Sequence, residues 1–255
     1  MSSQFRKVFA PLAAIGLAAA VSACSWSGSY NGFDGVPLAE LDMSGEAPTG
    51  IALAGPDRVI LIEGDTLDID VEASAEVADQ LRFNLEGGTL GIGREGQWDS
   101  GMDSSAVAII RVTMPAPTAF ELAGSGSIES PIAAENVAVD IAGSGTIAIA
   151  RLAARDLKAD IAGSGVLRAA GTADYLELDI AGSGRGALDE VKVGDAKIDI
   201  AGSGNSAFAS DGTVEGDIAG SGTIVVTGSA SCNVEVAGSG GLTCRPAAPA
   251  QTAES

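Results

Sequence analysis

Asp140-Ile141-Ala142-Gly143-Ser144-Gly145 decides the fold, because the same phrase returns along the C-terminal half of the chain. Ala-Gly-Ser-Gly begins at Ala123, Ala142, Ala162, Ala181, Ala201, Ala219 and Ala237. A large aliphatic residue precedes every copy: Leu122, Ile141, Ile161, Ile180, Ile200, Ile218 and Val236. Before that stands an acid: Glu121, Asp140, Asp160, Asp179, Asp199, Asp217 and Glu235. A period of about 19 residues marks units too small to fold alone, which bury their apolar faces on their neighbours.

The phase within the unit says what stacks. Val137, Val139 and Ile141 alternate with Ala138 and Asp140, and Leu176, Leu178 and Ile180 alternate with Glu177 and Asp179. Period-two alternation with branched inward residues is a half-buried strand. Downstream of the glycines, Ile147 and Ile149, Ile224 and Val226, and Leu242 and Cys244 repeat it. Two glycines per unit argue against a helix, where each costs ~1 kcal/mol relative to alanine. Tight bends need positive φ or close backbone approach, both of which glycine allows. Gly165, the second glycine of a middle unit, is expected to take the left-handed conformation. The pattern predicts an all-β fold, a right-handed parallel β-helix of about seven coils with an N-terminal β cap. At ~4.8 Å per coil the repeats form a rod section of roughly 29 Å.

The chain begins differently. Residues 1–23 carry Arg6 and Lys7, an apolar run from Val8 to Ala20, and no acid. That run is too short to span a bilayer and reads as a secretion signal. It ends in Val21-Ser22-Ala23-Cys24, which resembles a bacterial lipobox. The resemblance implies cleavage before Cys24 and acylation of that residue, hence a membrane contact through a lipid anchor. Uncharged Ser25 then implies sorting to the outer membrane. Removing residues 1–23 takes the formal charge from −20 to −22, a balance that excludes nucleic acid as a partner.

Residues 24–33 read as a flexible tether rich in Ser and Gly. Residues 34–118 lack the repeat but are dense in strand patterns, at 58–62, 67–71, 81–85, 89–92 and 107–114, with Gly64-Asp65 and Gly87-Gly88 as turns. One helical turn is expected from Ala75 to Gln80. A solenoid leaves unpaired backbone at its ends, so this region is expected to be the cap. The solenoid itself then occupies 119–245, and Arg245 to Ser255, Pro- and Ala-rich, reads as a tail that is disordered from 246.

Three segments carry a family resemblance: Gly64-Asp65-Thr66-Leu67-Asp68-Ile69-Asp70-Val71, Gly88-Thr89-Leu90-Gly91-Ile92, and Val112-Thr113-Met114-Pro115 leading into Glu121-Leu122-Ala123-Gly124-Ser125-Gly126. Together they resemble the head GIN domain, a family of secreted bacterial proteins with Gly-Ser-Gly β-helix coils, also described as an autotransporter adhesin head. The resemblance covers roughly residues 34 to 245. It implies adhesion and supplies no catalytic residues or cofactor.

The residues themselves offer little chemistry. There is no histidine, which removes His-dependent triads and His-bearing zinc sites. Gly182-Ser183-Gly184-Arg185-Gly186-Ala187 formally matches a dinucleotide fingerprint, but a strand follows where that motif needs a helix. No cofactor is expected. The nonapeptide calcium repeat fits poorly, since its Asp follows the glycines. The bend serines are expected to form a hydrogen-bonding ladder.

The acidic column is the one feature with a functional reading. Alternation places Asp140, Asp160, Asp179, Asp199 and Asp217 on the outside, between Glu121 and Glu235. Carboxylates ~5 Å apart repel by ~0.8 kcal/mol in water. Either each accepts N–H groups from its own bend, or the column gathers divalent cations, with those five Asp as candidate ligands. Cys232 and Cys244 fall at inward phases of the last coil and predict a disulfide in an oxidising envelope. The leading function is therefore a non-enzymatic envelope lipoprotein presenting a rigid acidic rod to a surface protein or glycan. A structural or cation-binding envelope protein is the alternative, and a polysaccharide-processing β-helix enzyme comes third. Phe120 and Phe208 at inward phases leave little aromatic surface for sugar.

Overall fold

The computed structural model describes residues 33–95 and 106–245. Residues 1–32, with the signal segment, Cys24 and most of the tether, and the tail at 246–255 lie outside the described residues. The elements in order are β1 (Gly50–Gly55), β2 (Arg58–Glu63), β3 (Asp68–Glu72), α1 (Ala75–Ala78), β4 (Leu81–Glu86), β5 (Thr89–Arg94), β6 (Ile109–Met114), β7 (Ala119–Gly124), β8 (Ser127–Ser130), β9 (Asn136–Gly143), β10 (Thr146–Gly163), β11 (Val166–Gly182), β12 (Arg185–Gly202), β13 (Asn205–Ser210), β14 (Thr213–Gly220), β15 (Thr223–Thr227), β16 (Ser231–Gly238) and β17 (Gly241–Arg245).

All of the strands join one sheet that coils as a parallel β-solenoid. On its first face β7, β9, the end of β10, the end of β11, the end of β12, β14 and β16 stack in parallel. On its second face β8, the start of β10, the start of β11, the start of β12, β13, β15 and β17 do the same. β10, β11 and β12 are long because each runs along the second face, returns, and continues onto the first. Their register slips at the corner after the second face, between Ile149 and Leu152, between Arg168 and Ala170, and between Leu188 and Lys192. Inward residues fill the rod completely: Ile141, Ile161, Ile180, Ile200 and Ile218 stack in one column, and Phe120 and Phe208 are fully buried.

The two glycines of a bend do different work. The first takes positive φ, +126° at Gly143 and +115° at Gly163. The second does not, which corrects the expectation for Gly165. There a Cβ would overlap Ile141 Cγ2 of the coil below, so the need is for space. The bend ladder is made by the serine backbone: Ser164 N–H donates to Gly143 O and Ser183 N–H to Gly163 O, both at 2.8 Å.

The N-terminal region is more solenoidal than its sequence implies. β1 with β2, and β5 with β6, are two further coils in parallel register with the rest. They do not stack in chain order, because β1 lies between β5 and β7, and β2 between β6 and β8. The chain builds the inner coil first, then the outer one, and then passes back over the inner coil to start β7. The true cap is smaller than 34–118. It consists of β3 antiparallel to β6, β4 antiparallel to β5, and a bridge from Val36 to Phe83. Gly87 and Gly88, at φ +59° and +79°, turn β4 into β5. Helix α1 begins at Ser74, whose hydroxyl accepts Val77 N–H at 3.4 Å.

Candidate functional site

The first face carries the acidic column. Glu121 aligns with Asp140, Asp140 with Asp160, Asp160 with Asp179, Asp179 with Asp199, Asp199 with Asp217, and Asp217 with Glu235. The order arises because Ile at the next position must face the core, which forces the acid outward. Alanines from Ala123 to Ala237 occupy the outward column on one side of the carboxylates, and Lys158, Glu177, Lys197 and Glu215 stand in the one on the other side. The column stops at Glu121 for a steric reason. Further on, Ala52 and Gly91 occupy its line; Ala52 is buried, and a Cβ on Gly91 would overlap the Asn84 side chain and crowd Phe33.

The carboxylates do not accept from their own bends, whose serine amides serve the coil below. Support comes instead from adjacent coils and columns. Asp217 N–H donates to Asp199 Oδ1 at 3.1 Å. Lys197 Nζ lies 3.0 Å from Asp199, and Lys158 Nζ lies 3.4 Å from Glu177. Asp140, Asp160 and Asp179 are half-buried, and burial, followed by the neighbouring carboxylates, holds all three above the ordinary range. For Asp140 the neighbour is Glu121, for Asp160 it is Asp140, and for Asp179 it is Asp160 and then Asp199.

A line of carboxylates differs from a cage. No acid has more than two column neighbours, and among the described residues no group of three or more His, Cys, Asp or Glu is placed to hold a metal ion. What the arrangement offers chemically is a regular row of acceptors for cationic or hydrogen-bond-donating groups on a partner.

Elsewhere the second face bears an open groove of about 560 Å³ beside its corner, floored by Ala148, Ala150, Ala170 and Ala187, with Glu129 and Arg168 among its charged lining residues. None of its lining residues is aromatic. At the C-terminal end Cys232 and Cys244, 12 positions apart in sequence, are joined, Cα to Cα 6.7 Å. Their phase is inward, aligned with Val214 and Val226, but no strand of the described residues lies beyond, so Cys244 is exposed. An inward phase therefore does not shield this bond from reductants.

One buried polar site has no counterpart in the Ala-Gly-Ser-Gly repeats. Asp57 is fully buried, accepting from Arg94 Nε at 2.9 Å, Arg94 Nη2 at 2.5 Å and Ala108 N–H at 2.8 Å. Ala54-Gly55-Pro56-Asp57 is a degenerate copy of the bend, with Gly55 at φ +137°. Asp57 stands where the second glycine would be, and that substitution is the signal for the site. It ties Arg94, at the end of β5, and Ala108, just before β6, to the rod.

Among the described residues no helix is long and apolar enough to cross a membrane. The family model described as "Putative auto-transporter adhesin, head GIN domain" matches residues 47–230. No curated protein matches the chain. Among solved structures, one described as a putative adhesin from Bacteroides fragilis NCTC 9343 superimposes with a TM-score of 0.67 at 16% identity, covering 79% of this chain and 93% of its own. A second, described as a putative lipid binding protein from Parabacteroides distasonis ATCC 8503, gives 0.61 at 20% identity, covering 78% and 93%. A third, described as a putative adhesin from the same Parabacteroides strain, gives 0.56 at 16%, covering 87% and 98%. At these identities the likeness is one of fold.

Proposed function

The chain belongs to the head GIN domain family, and from that premise we propose that it is a non-enzymatic cell-envelope lipoprotein presenting a rigid acidic β-helix for adhesion. Acyl chains on Cys24 hold it to the outer membrane, and the first face meets a surface protein or glycan. The observation that carries the reading is the unbroken carboxylate column from Glu121 to Glu235, in register along seven coils and bordered on one side by alanines. Such a row gives many equivalent weak contacts whose strengths add when a repetitive partner engages several together. Catalysis has no support: the chain contains no histidine, and the groove has no aromatic platform for a sugar. The adhesin descriptions of the family and of two structural neighbours agree with this reading. Capture of surface proteins and glycans on immobilised rod tests it, with Asp160→Asn, Asp179→Asn and Asp199→Asn combined as the comparison. A partner retained by both forms alike would remove the column from the account.

A further inference from the structure

The two ends of the rod differ. At the N-terminal end β3 and β4 lie antiparallel across the outermost coil, with Val36 bridged to Phe83 beyond them. At the other end β16 and β17 finish the stack, and no strand of the described residues lies beyond. Successive residues of a strand send their N–H and C=O groups to opposite neighbours. Ser231 N–H bonds Gly212 O, and Ser239 N–H bonds Gly220 O, so the odd-numbered residues of β16 face back into the rod. Cys232, Val234 and Val236 therefore offer their backbone groups to the open end. Their side chains are the inward ones, and Val236 is 43% exposed where Ile218, one coil below, is 1%.

We propose that this edge of β16 pairs with the same edge of a second copy of the chain, antiparallel, about a twofold axis through Val234. A row of unpaired backbone groups beside apolar side chains fits a strand better than any other partner. At the N-terminal end β3 and β4 run antiparallel to the coils they cover, so a head-to-tail contact there would not continue the parallel coil, whereas two like ends make a self-complementary contact. Charge then sets the register. An axis through Glu235 would place that carboxylate opposite its own copy. An axis through Val234 places Glu235 opposite Asn233 of the second copy, pairs Val234 with Val234 and Cys232 with Val236, and lets each of these pairs exchange two hydrogen bonds. The chain enters the rod at the closed end, where Phe33 N–H bonds Arg94 O at 3.3 Å. The pairing thus leaves both entering chains at the outer ends. Resting on the anchored reading above, that is the geometry of a contact between rods on two apposed surfaces.

Sedimentation of the purified, oxidised Cys24→Ala chain from micromolar to millimolar concentration tests the pairing in solution, without a membrane, so failure of the anchor leaves the result intact. The expected result is a monomer–dimer equilibrium. Asn233→Glu should weaken it by about threefold to tenfold, and Asn233→Lys should tighten it by a similar factor, because each changes what faces Glu235 twice per dimer. Both variants should keep the fold, since residue 233 points outward, and thermal unfolding of the dilute monomers gives the separate effect of Glu215, which lies beside residue 233 in the coil below. A monomer at every concentration would overturn the proposal. So would a dimer that both variants leave unchanged or shift in the same direction.

Discussion

Ile141 sits beneath Gly165, its Cγ2 methyl filling the place where a Cβ on that glycine would stand, while a Cβ on Gly163 would overlap the backbone oxygen of Gly143. One obstacle is a side chain that can yield, and the other is backbone that cannot. Gly163 also holds φ at +115°.

Gly163→Ala should therefore cost more than Gly165→Ala. Backbone strain at the first site is on the order of 1–3 kcal/mol before the clash is counted, whereas overpacking at the second costs about 1–3 kcal/mol with relaxation available. Urea unfolding of the two variants gives the order. A loss of a few tenths of a kcal/mol at Gly163 would show that the bend does not need positive φ.

Acid should stabilise the rod over a defined window. Asp140, Asp160 and Asp179 are harder to ionise folded than unfolded, so the folded state binds protons more tightly. Stability then falls as pH rises from about 4 through the raised values of these groups. Asp42, held low by Ser44, and Asp211, held low by Ser229 and then Lys192, act oppositely, below about pH 4. Melting temperature should rise as pH falls from neutral toward about 4. Combined Asn replacement of the three should raise it at neutral pH and flatten the slope. An unchanged slope would mean that burial and the neighbouring carboxylates do not raise these three groups.

The repeats were legible because inward Ile and outward Asp differ sharply at a fixed period. β1 was not. Gly50-Ile51-Ala52-Leu53-Ala54-Gly55 has no polar alternation, since Gly50 packs against the Thr89 side chain and Ala52 is buried as well. The out-of-order stacking of β5 and β6 beyond β1 and β2 follows from strand pairing, which leaves no mark on a single strand's pattern. Which glycine of a bend takes positive φ was equally hidden, because Gly163 and Gly165 have the same composition and the same neighbour, Ser164. In the candidate site, the column and its register could be read, but its half-burial and its support from adjacent coils could not.

Asp57 should be the most sensitive polar position. Asp57→Ala leaves Arg94 without its buried partner, a loss on the order of 3–5 kcal/mol. Denaturant unfolding should show it, together with faster proteolysis within residues 95–108. A cost below ~1 kcal/mol would mean that the pair does not secure the cap.

Reduction of Cys232–Cys244 should fray the last coil and spare the middle ones. This coil stacks on one side only, and cross-linking a loop of this length restricts the unfolded chain by about 3 kcal/mol. Hydrogen exchange after reduction should accelerate chiefly beyond Gly228. Free thiols in freshly prepared envelope protein would remove the cross-link from the account.

Cys24→Ala should move the protein from membrane to soluble fractions. Continued membrane partition, with palmitate labelling as before, would refute the lipobox reading.

The central claim is that the carboxylate column is the surface the rod presents. Its most direct measurement is the affinity of a captured surface partner for the parent chain and for the combined Asp160→Asn, Asp179→Asn and Asp199→Asn variant, followed across a salt titration. The account predicts that the parent's affinity falls steeply with salt, and that the variant binds at least about tenfold more weakly with a shallower dependence. Equal affinities with the same salt dependence would contradict it.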